Sequence, residues 1–416
     1  MSETVLVIGA GHAAGQLVST LRHKGCDGRI VLAGEEPWVP YQRPPLSKKY
    51  LSGELERNRL YFKPPGFYED AEVDLRLSTR VAALDTAARR AELESGGSVD
   101  WDHCVIATGS RVLRLQAPGA DLPGIHYLRT IDDVDAIRGH FAPGARLVVV
   151  GAGYIGLEVA AVAAVAGLDV TVLELAGRVM SRVVSPPVSD FYEAEHRRHG
   201  VHLRLGEGVA GFEGDGRVEA VVTAAGERVA ADFVVVGIGI EPVTELAANA
   251  GLACDDGILV DEYCRTRADG VYAVGDCTRH PNGIYGRQLR LESVHNALEQ
   301  ARTAAAGICG ERTPYNQVPW FWSDQYDLKL QIAGLSEGCD QTVIRGDPAA
   351  RSFACFYLAE GRLLAVDAVN SPREFMLSKP LIAAHATPPP EALADPGVSL
   401  KDLLKDLQAV DAGDRP

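Results

Sequence analysis

Two segments of the chain carry one pattern: VLVIGAGHAAG at residues 5–15 and LVVVGAGYIGLEVA at residues 147–160. In each, a short apolar run of the kind that forms a buried parallel strand meets G-x-G-x-x-G/A and then a stretch of helix-forming residues. The first copy places Gly9, Gly11 and Ala14 at the three small positions, and the second places Gly151, Gly153 and Gly156 there. The first glycine permits the tight turn, the second admits a pyrophosphate close to the backbone, and the third small residue lets helix and strand pack. The helix N-terminus then offers unpaired N–H groups and a partial positive charge to phosphate. Each copy also has an acid at the end of the next strand: Glu35 after 29–33, and Glu174 after 169–173. About 20 residues on is where a carboxylate accepts hydrogen bonds from a ribose. The chain is therefore expected to be an α/β protein with two Rossmann-type nucleotide-binding domains.

At 416 residues the chain has room for two or three domains. Its 41 basic and 56 acidic side chains leave a net charge of −15, which argues against broad nucleic-acid binding. The first strand pattern begins at Thr4, leaving no room for a signal peptide, and no apolar run is long enough to span a bilayer. The eight cysteines form no C-x-x-C pair and no metal-binding pattern, as expected of reduced thiols in a cytoplasmic protein.

Two complete dinucleotide sites point to FAD together with NAD(P)H. Further pieces follow in a consistent order. CVIATG at 104–109 reads as a strand ending in Ala107, Thr108 and Gly109, leading out of the first nucleotide domain. FVVVGIG at 233–239 ends on Gly239 and leads out of the second. TRADGVYAVGD at 266–276 resembles a second FAD fingerprint, with Gly275 and with Asp276 on the ribityl chain. A carboxylate at Glu174 repels a 2′-phosphate, so NADH is expected over NADPH; Arg178, four residues on, weighs the other way. Glu158, in the first turn of the second helix, either answers the helix dipole or stands beside the nicotinamide.

The stretches PYQRPPLSKKYL (40–51), VYAVGD, PWFWSDQYDLKLQIAGL (319–335) and VDAVNSPREF (366–375) bring a resemblance over almost the whole chain to the FAD-dependent NADH:ferredoxin reductases of bacterial oxygenase systems. The resemblance implies a glutathione-reductase-like fold: an FAD-binding domain in two parts, 1–113 and 245–318, around an NAD-binding domain at 114–244, with a C-terminal α+β domain at 319–416. It implies that Arg43 and Lys48 lie along the FAD and that Lys48 pairs with Glu158 to organise hydride transfer. Arg129 would contact the pyrophosphate side. The helix beginning at 293–296 would turn its N-terminus to the flavin pyrimidine. Val294 stands where these reductases often carry Trp, so a backbone contact is what carries over. Disulfide reductases, peroxidases and oxidases of this fold place one or two cysteines beside the flavin, and PYQRPPLSKKY has none. Electrons should leave the flavin directly, one at a time, to an acidic [2Fe–2S] ferredoxin serving a cytochrome P450 or a ring-hydroxylating oxygenase.

Docking candidates come from two places. Trp320 and Trp322 alternate with Phe321, and either belong to an aromatic core or put one ring on the flavin and the other on a docking surface. Arg279, Arg287, Arg290 and Arg302 outnumber the acids between positions 279 and 302, a local basic excess suited to steering an acidic partner. Lys379 and Lys401 match basic docking positions of similar reductases. Rubredoxin reductase is the neighbouring alternative, a redox-sensing flavoprotein of the apoptosis-inducing-factor type a more distant one, and a peroxide-forming oxidase a third. In the last domain, the runs 353–358 and 363–369 read as antiparallel strands, 400–407 as a helix and 412–416 as a frayed end.

Overall fold

The computed structural model describes residues 3–405 and divides the chain into two compact units. The 412–416 end and the last two residues of the 400–407 helix lie outside the described residues, and 400–405 is helical.

The first unit comprises residues 1–43, 55–111 and 240–317. Its parallel sheet runs, in spatial order, Val271–Ala273, His103–Ile106, Thr4–Ile8, Arg29–Ala33 and Val73–Arg76. These strands are continuous apolar runs because both faces are covered. One face packs against the helices His12–His23 and Val294–Ile308 through Leu17, Leu21, Ala301 and Ala305. The other packs against residues of a small antiparallel sheet, among them Val81, Leu84, Leu93 and Val99.

The second unit comprises 44–54, 112–239 and 318–416. Its parallel sheet orders His202–Leu205, Asp169–Glu174, Arg146–Val150, Phe233–Val236 and Ile125–Tyr127. From the glycine-bearing strand outward, both sheets run first, second, third on one side and exit strand, fifth strand on the other. They differ in where the fifth strand comes from: late in the sequence in the first unit, just before the glycine strand in the second. The second unit also holds a three-stranded antiparallel sheet, Val209–Glu213, Ala220–Thr223 and Arg228–Ala230, and a five-stranded antiparallel sheet ordered Trp320–Gln325, Leu328–Gly334, Arg362–Val369, Ser352–Ala359, Gln341–Asp347. The two runs read from the sequence are adjacent in it, with Phe353 opposite Val369. The helix Pro372–Ala383 packs against this sheet.

Candidate active site

Both glycine turns are built as the pattern demands. Gly9 sits at φ +109°, and a Cβ there would stand 2.2 Å from the Ala107 carbonyl oxygen; Gly151 sits at φ +104°, with a Cβ 2.4 Å from that of Gly237. Neither position accepts a side chain. A Cβ on Gly156 would lie 2.1 Å from the Gly151 carbonyl, so the helix Tyr154–Val165 can approach its strand only because Gly156 has none. Ala14 fills the corresponding place in the first turn and is fully buried. Gly11 and Gly153 are the N-caps of their helices, make no side-chain cap, and face open space where a Cβ would meet nothing within 4 Å. The first N–H groups of both helices are thus left to an outside acceptor. These two cradles fit the pyrophosphates of two dinucleotides.

Around the first turn, Thr108 Oγ1 donates to the Val243 carbonyl at 2.7 Å, Gly109 adopts φ +66°, and Gly275 at φ +85° donates its N–H to Gln300 Oε1. Asp276 accepts from Ser110 Oγ at 2.9 Å. Glu35 is largely exposed and lies 3.3 Å from Arg80. Its neighbour Glu36, which no motif marks, takes the more enclosed position, holding Arg43 at 2.6 Å and the Tyr41 hydroxyl at 2.5 Å. The helix Val294–Ile308 begins as expected, with Ser293 Oγ accepting from the Asn296 N–H. Asn296 Oδ1 is buried without a hydrogen-bond partner among the described residues, which fits a ligand or water at this helix start.

Around the second turn, Glu174 accepts the Ala152 N–H at 2.6 Å and the Ala176 N–H at 2.8 Å. It therefore holds the glycine turn itself, with lone pairs left over for hydroxyls. Arg178 is held by its own loop: it donates to the carbonyls of Val184 and Ser181 and to Ser189 Oγ. Its place four residues after Glu174 weighs against an NADH preference, and here those bonds occupy it. Gly239 adopts φ +127°. Arg129 donates its backbone N–H to Asp133, part of the capping box that starts Ile131–Arg138.

Lys48 and Glu158 meet in the second unit at 2.7 Å. Glu158 is 3% exposed, and its carboxylate also accepts Ser47 Oγ at 2.5 Å and Ser323 Oγ at 2.6 Å. A buried carboxylate with one cation and two hydroxyl donors is a satisfied charge, costly to leave without its partners. Such a group does far more than answer a helix dipole. Ser47 lies beside Lys48 in the quoted RPPLSK, but no spacing in the sequence announces Ser323.

Trp320 and Trp322 share one face of their strand, with ring centroids 5.5 Å apart, while Phe321 on the other face packs on Tyr154 at 4.6 Å. Lys379 Nζ stands 5.4 Å above the Trp320 ring. The arginine excess is reduced by the fold. Arg279 pairs with Asp255, Arg290 with Asp256 and Glu292, and Arg302 with Glu299. Asp255 and Asp256 lie outside the window in which the charges were counted. Lys379 and the exposed Lys401 have no ion-pair partner among the described residues.

All eight cysteines are free. Burial raises the thiol pKa of Cys104, Cys264 and Cys277, and pushes that of Cys355 up to about 11. Thiols held protonated this way are inert scaffold groups. No cluster of metal-ligating residues and no helix long and apolar enough to cross a membrane occurs among the described residues.

Residues 3–301 match the pyridine nucleotide-disulphide oxidoreductase family and residues 320–404 a reductase C-terminal domain, so the chain belongs to that family, with the glutathione-reductase-like fold and its use of FAD and NAD(P)H. Within it, the chain is 44% identical to rhodocoxin reductase of Rhodococcus erythropolis over 99% of both chains, and 43% identical to putidaredoxin reductase CamA of Pseudomonas putida over 98% of both. The crystal structure of the covalent putidaredoxin reductase–putidaredoxin complex superposes with a TM-score of 0.95 at 42% identity, covering 98% of this chain and 99% of the other.

Proposed function

We propose that the protein is an NADH-dependent flavoprotein reductase that hands electrons singly to a [2Fe–2S] ferredoxin serving a cytochrome P450 or a ring-hydroxylating oxygenase. When bound, FAD supplies the chemistry of this role, taking two electrons from NADH and returning them one at a time. The Gly9 turn, Arg43, Asp276 and the start of Val294–Ile308 hold FAD. The Gly151 turn and Glu174 hold NADH, and Glu174 disfavours a 2′-phosphate. Lys48 supplies a fixed positive charge at the reacting ends, and Glu158 keeps its ammonium in place. Lys379 and Trp322, with Lys401, are the favoured contacts of the acidic partner, and Arg290 and Arg302 contribute less because acids already face them.

The observation that carries this reading is the buried Lys48–Glu158 pair in a chain whose buried thiols are held protonated. It favours a reductase over a thiol-dependent disulfide reductase of the same family and over a slow redox sensor. The test is rapid-mixing reduction of the yellow protein by NADH and by NADPH, followed by cytochrome c reduction with and without a [2Fe–2S] ferredoxin or a rubredoxin. NADH is expected to reduce the flavin faster than NADPH, and cytochrome c reduction is expected to need the ferredoxin. Equal rates with both dinucleotides contradict the role of Glu174. Turnover with rubredoxin alone, or peroxide formation without any carrier, contradicts the ferredoxin assignment.

A further inference from the structure

Glu158 does not end at its three donors. Ser323 Oγ–H donates to Glu158 Oε1 at 2.6 Å, so the Ser323 oxygen is left to accept, and it accepts Gln325 Nε2 at 3.2 Å. The second N–H of that amide points at Met180 Sδ, 4.0 Å away. Gln325 Oε1 therefore faces His196 Nε2 at 2.8 Å, which makes Nε2 the protonated ring nitrogen. His196 Nδ1 is then an acceptor, and the Tyr326 hydroxyl stands 3.0 Å from it. Starting from a carboxylate that can only accept, every donor along the row is determined, with no group left over.

The row is dry. Ser323, Gln325 and His196 are each at most 1% exposed. Ser323 and Gln325 occupy alternate positions of the strand Trp320–Gln325, so they project on the side opposite Trp320 and Trp322. The strand packs against the helix Tyr154–Val165 that carries Glu158. His196 comes from a third element, the helix Pro186–Arg198. Burial holds the His196 ring neutral, its pKa pushed down to about 4, in keeping with its part as one donor and one acceptor.

We propose that Ser323 and Gln325, anchored by His196, are positioning residues that fix the Glu158 carboxylate on Lys48; this rests on the role given to the Lys48–Glu158 pair above. Without Ser323 the carboxylate loses the one donor that Oε1 has among the described residues, and the rotamer that faces Lys48 is no longer the single satisfied one. Loss of an orienting partner of this kind lowers the rate of the step it serves by about 10-fold.

The test uses the holoprotein with Ser323→Ala, Gln325→Met and Glu158→Gln. The Glu158 carboxylate stretch in the infrared spectrum of the oxidised protein is identified by its loss in Glu158→Gln. It is expected to shift in Ser323→Ala and, by less, in Gln325→Met. Flavin reduction at saturating NADH is expected to slow by about 10-fold in Ser323→Ala with KM for NADH unchanged. Gln325→Met keeps length and packing, so it carries the test if Ser323→Ala folds poorly. An unmoved carboxylate band overturns the positioning role, as does a loss confined to KM. If Glu158→Gln itself leaves flavin reduction unchanged, the reading of the Lys48–Glu158 pair fails first. If Glu158→Gln slows it and the two positioning variants do not, only the present inference fails.

Discussion

Glu158 and Glu174 are both single acids near glycine turns, and the structure gives them different tasks. Glu158 is buried against an ammonium, so Glu158→Gln removes the charge that keeps Lys48 in place while sparing the shape of the site. Flavin reduction by NADH is expected to slow by about 100-fold, with protein yield and flavin content retained. Glu174 bonds two backbone N–H groups, one of them inside the Gly151 turn. Glu174→Ala is therefore expected to weaken NADH binding as well as to narrow the NADH/NADPH ratio in kcat/KM. A ratio narrowed only through faster NADPH turnover, with NADH kinetics intact, would show that the bonds to the turn are dispensable. The residue scale is also where sequence reading stops. Gly9 and Gly151 are legible because their backbone angles and close carbonyls exclude any Cβ. The partnership of Lys48 with Glu158 came from resemblance alone, since nothing in residues so far apart says that they touch. Ser323 and Gln325 give no signal, because polar residues alternating in a strand read as a solvated face, and His196 sits among the charged residues of the helix Pro186–Arg198, which read the same way.

At the scale of elements, the antiparallel sheet of the second unit contains a buried acid the sequence did not mark. Asp367, 1% exposed, accepts the Tyr357 hydroxyl, which also meets Ser185 Oγ at 3.0 Å. Burial raises the Asp367 carboxyl from 3.8 to about 7, and the Tyr357 bond opposes this only in part. The folded state thus holds a proton that the unfolded chain releases near pH 4. The corresponding stability is fully present below about pH 4 and is lost as pH rises toward about 7. Asp367→Asn should therefore cost more Tm at about pH 5 than at about pH 8. Equal losses at both would mean that Asp367 is ionised throughout. The same sheet and its helix Pro372–Ala383 carry Trp320 and Lys379, whose ammonium has no acid against it among the described residues. Lys379→Glu is expected to raise KM for a [2Fe–2S] ferredoxin several-fold, and more so at low salt, while Arg302→Glu should change it by less than about two-fold. The reverse order would place the partner on the arginine stretch. Along the chain that stretch reads as a basic excess, because Asp255 and Asp256 reach it only through the fold.

For the whole molecule, the repeated strand–turn–helix unit was the most legible feature, since each copy brings its own strand order and its own open helix N-terminus. The last domain was legible as an antiparallel sheet but not in its use, because alternating strands state burial and not chemistry. The two cradles imply a chain that binds two dinucleotides and passes electrons from one to the other without a reactive thiol, and the burial of Cys104, Cys264, Cys277 and Cys355 agrees with the last part. The most direct measurement is anaerobic rapid-mixing reduction of the purified flavoprotein by NADH before and after exhaustive alkylation of its accessible thiols. The account predicts bleaching of the flavin at the same rate in both samples. Loss of reduction on alkylation, with the flavin still bound, would contradict it.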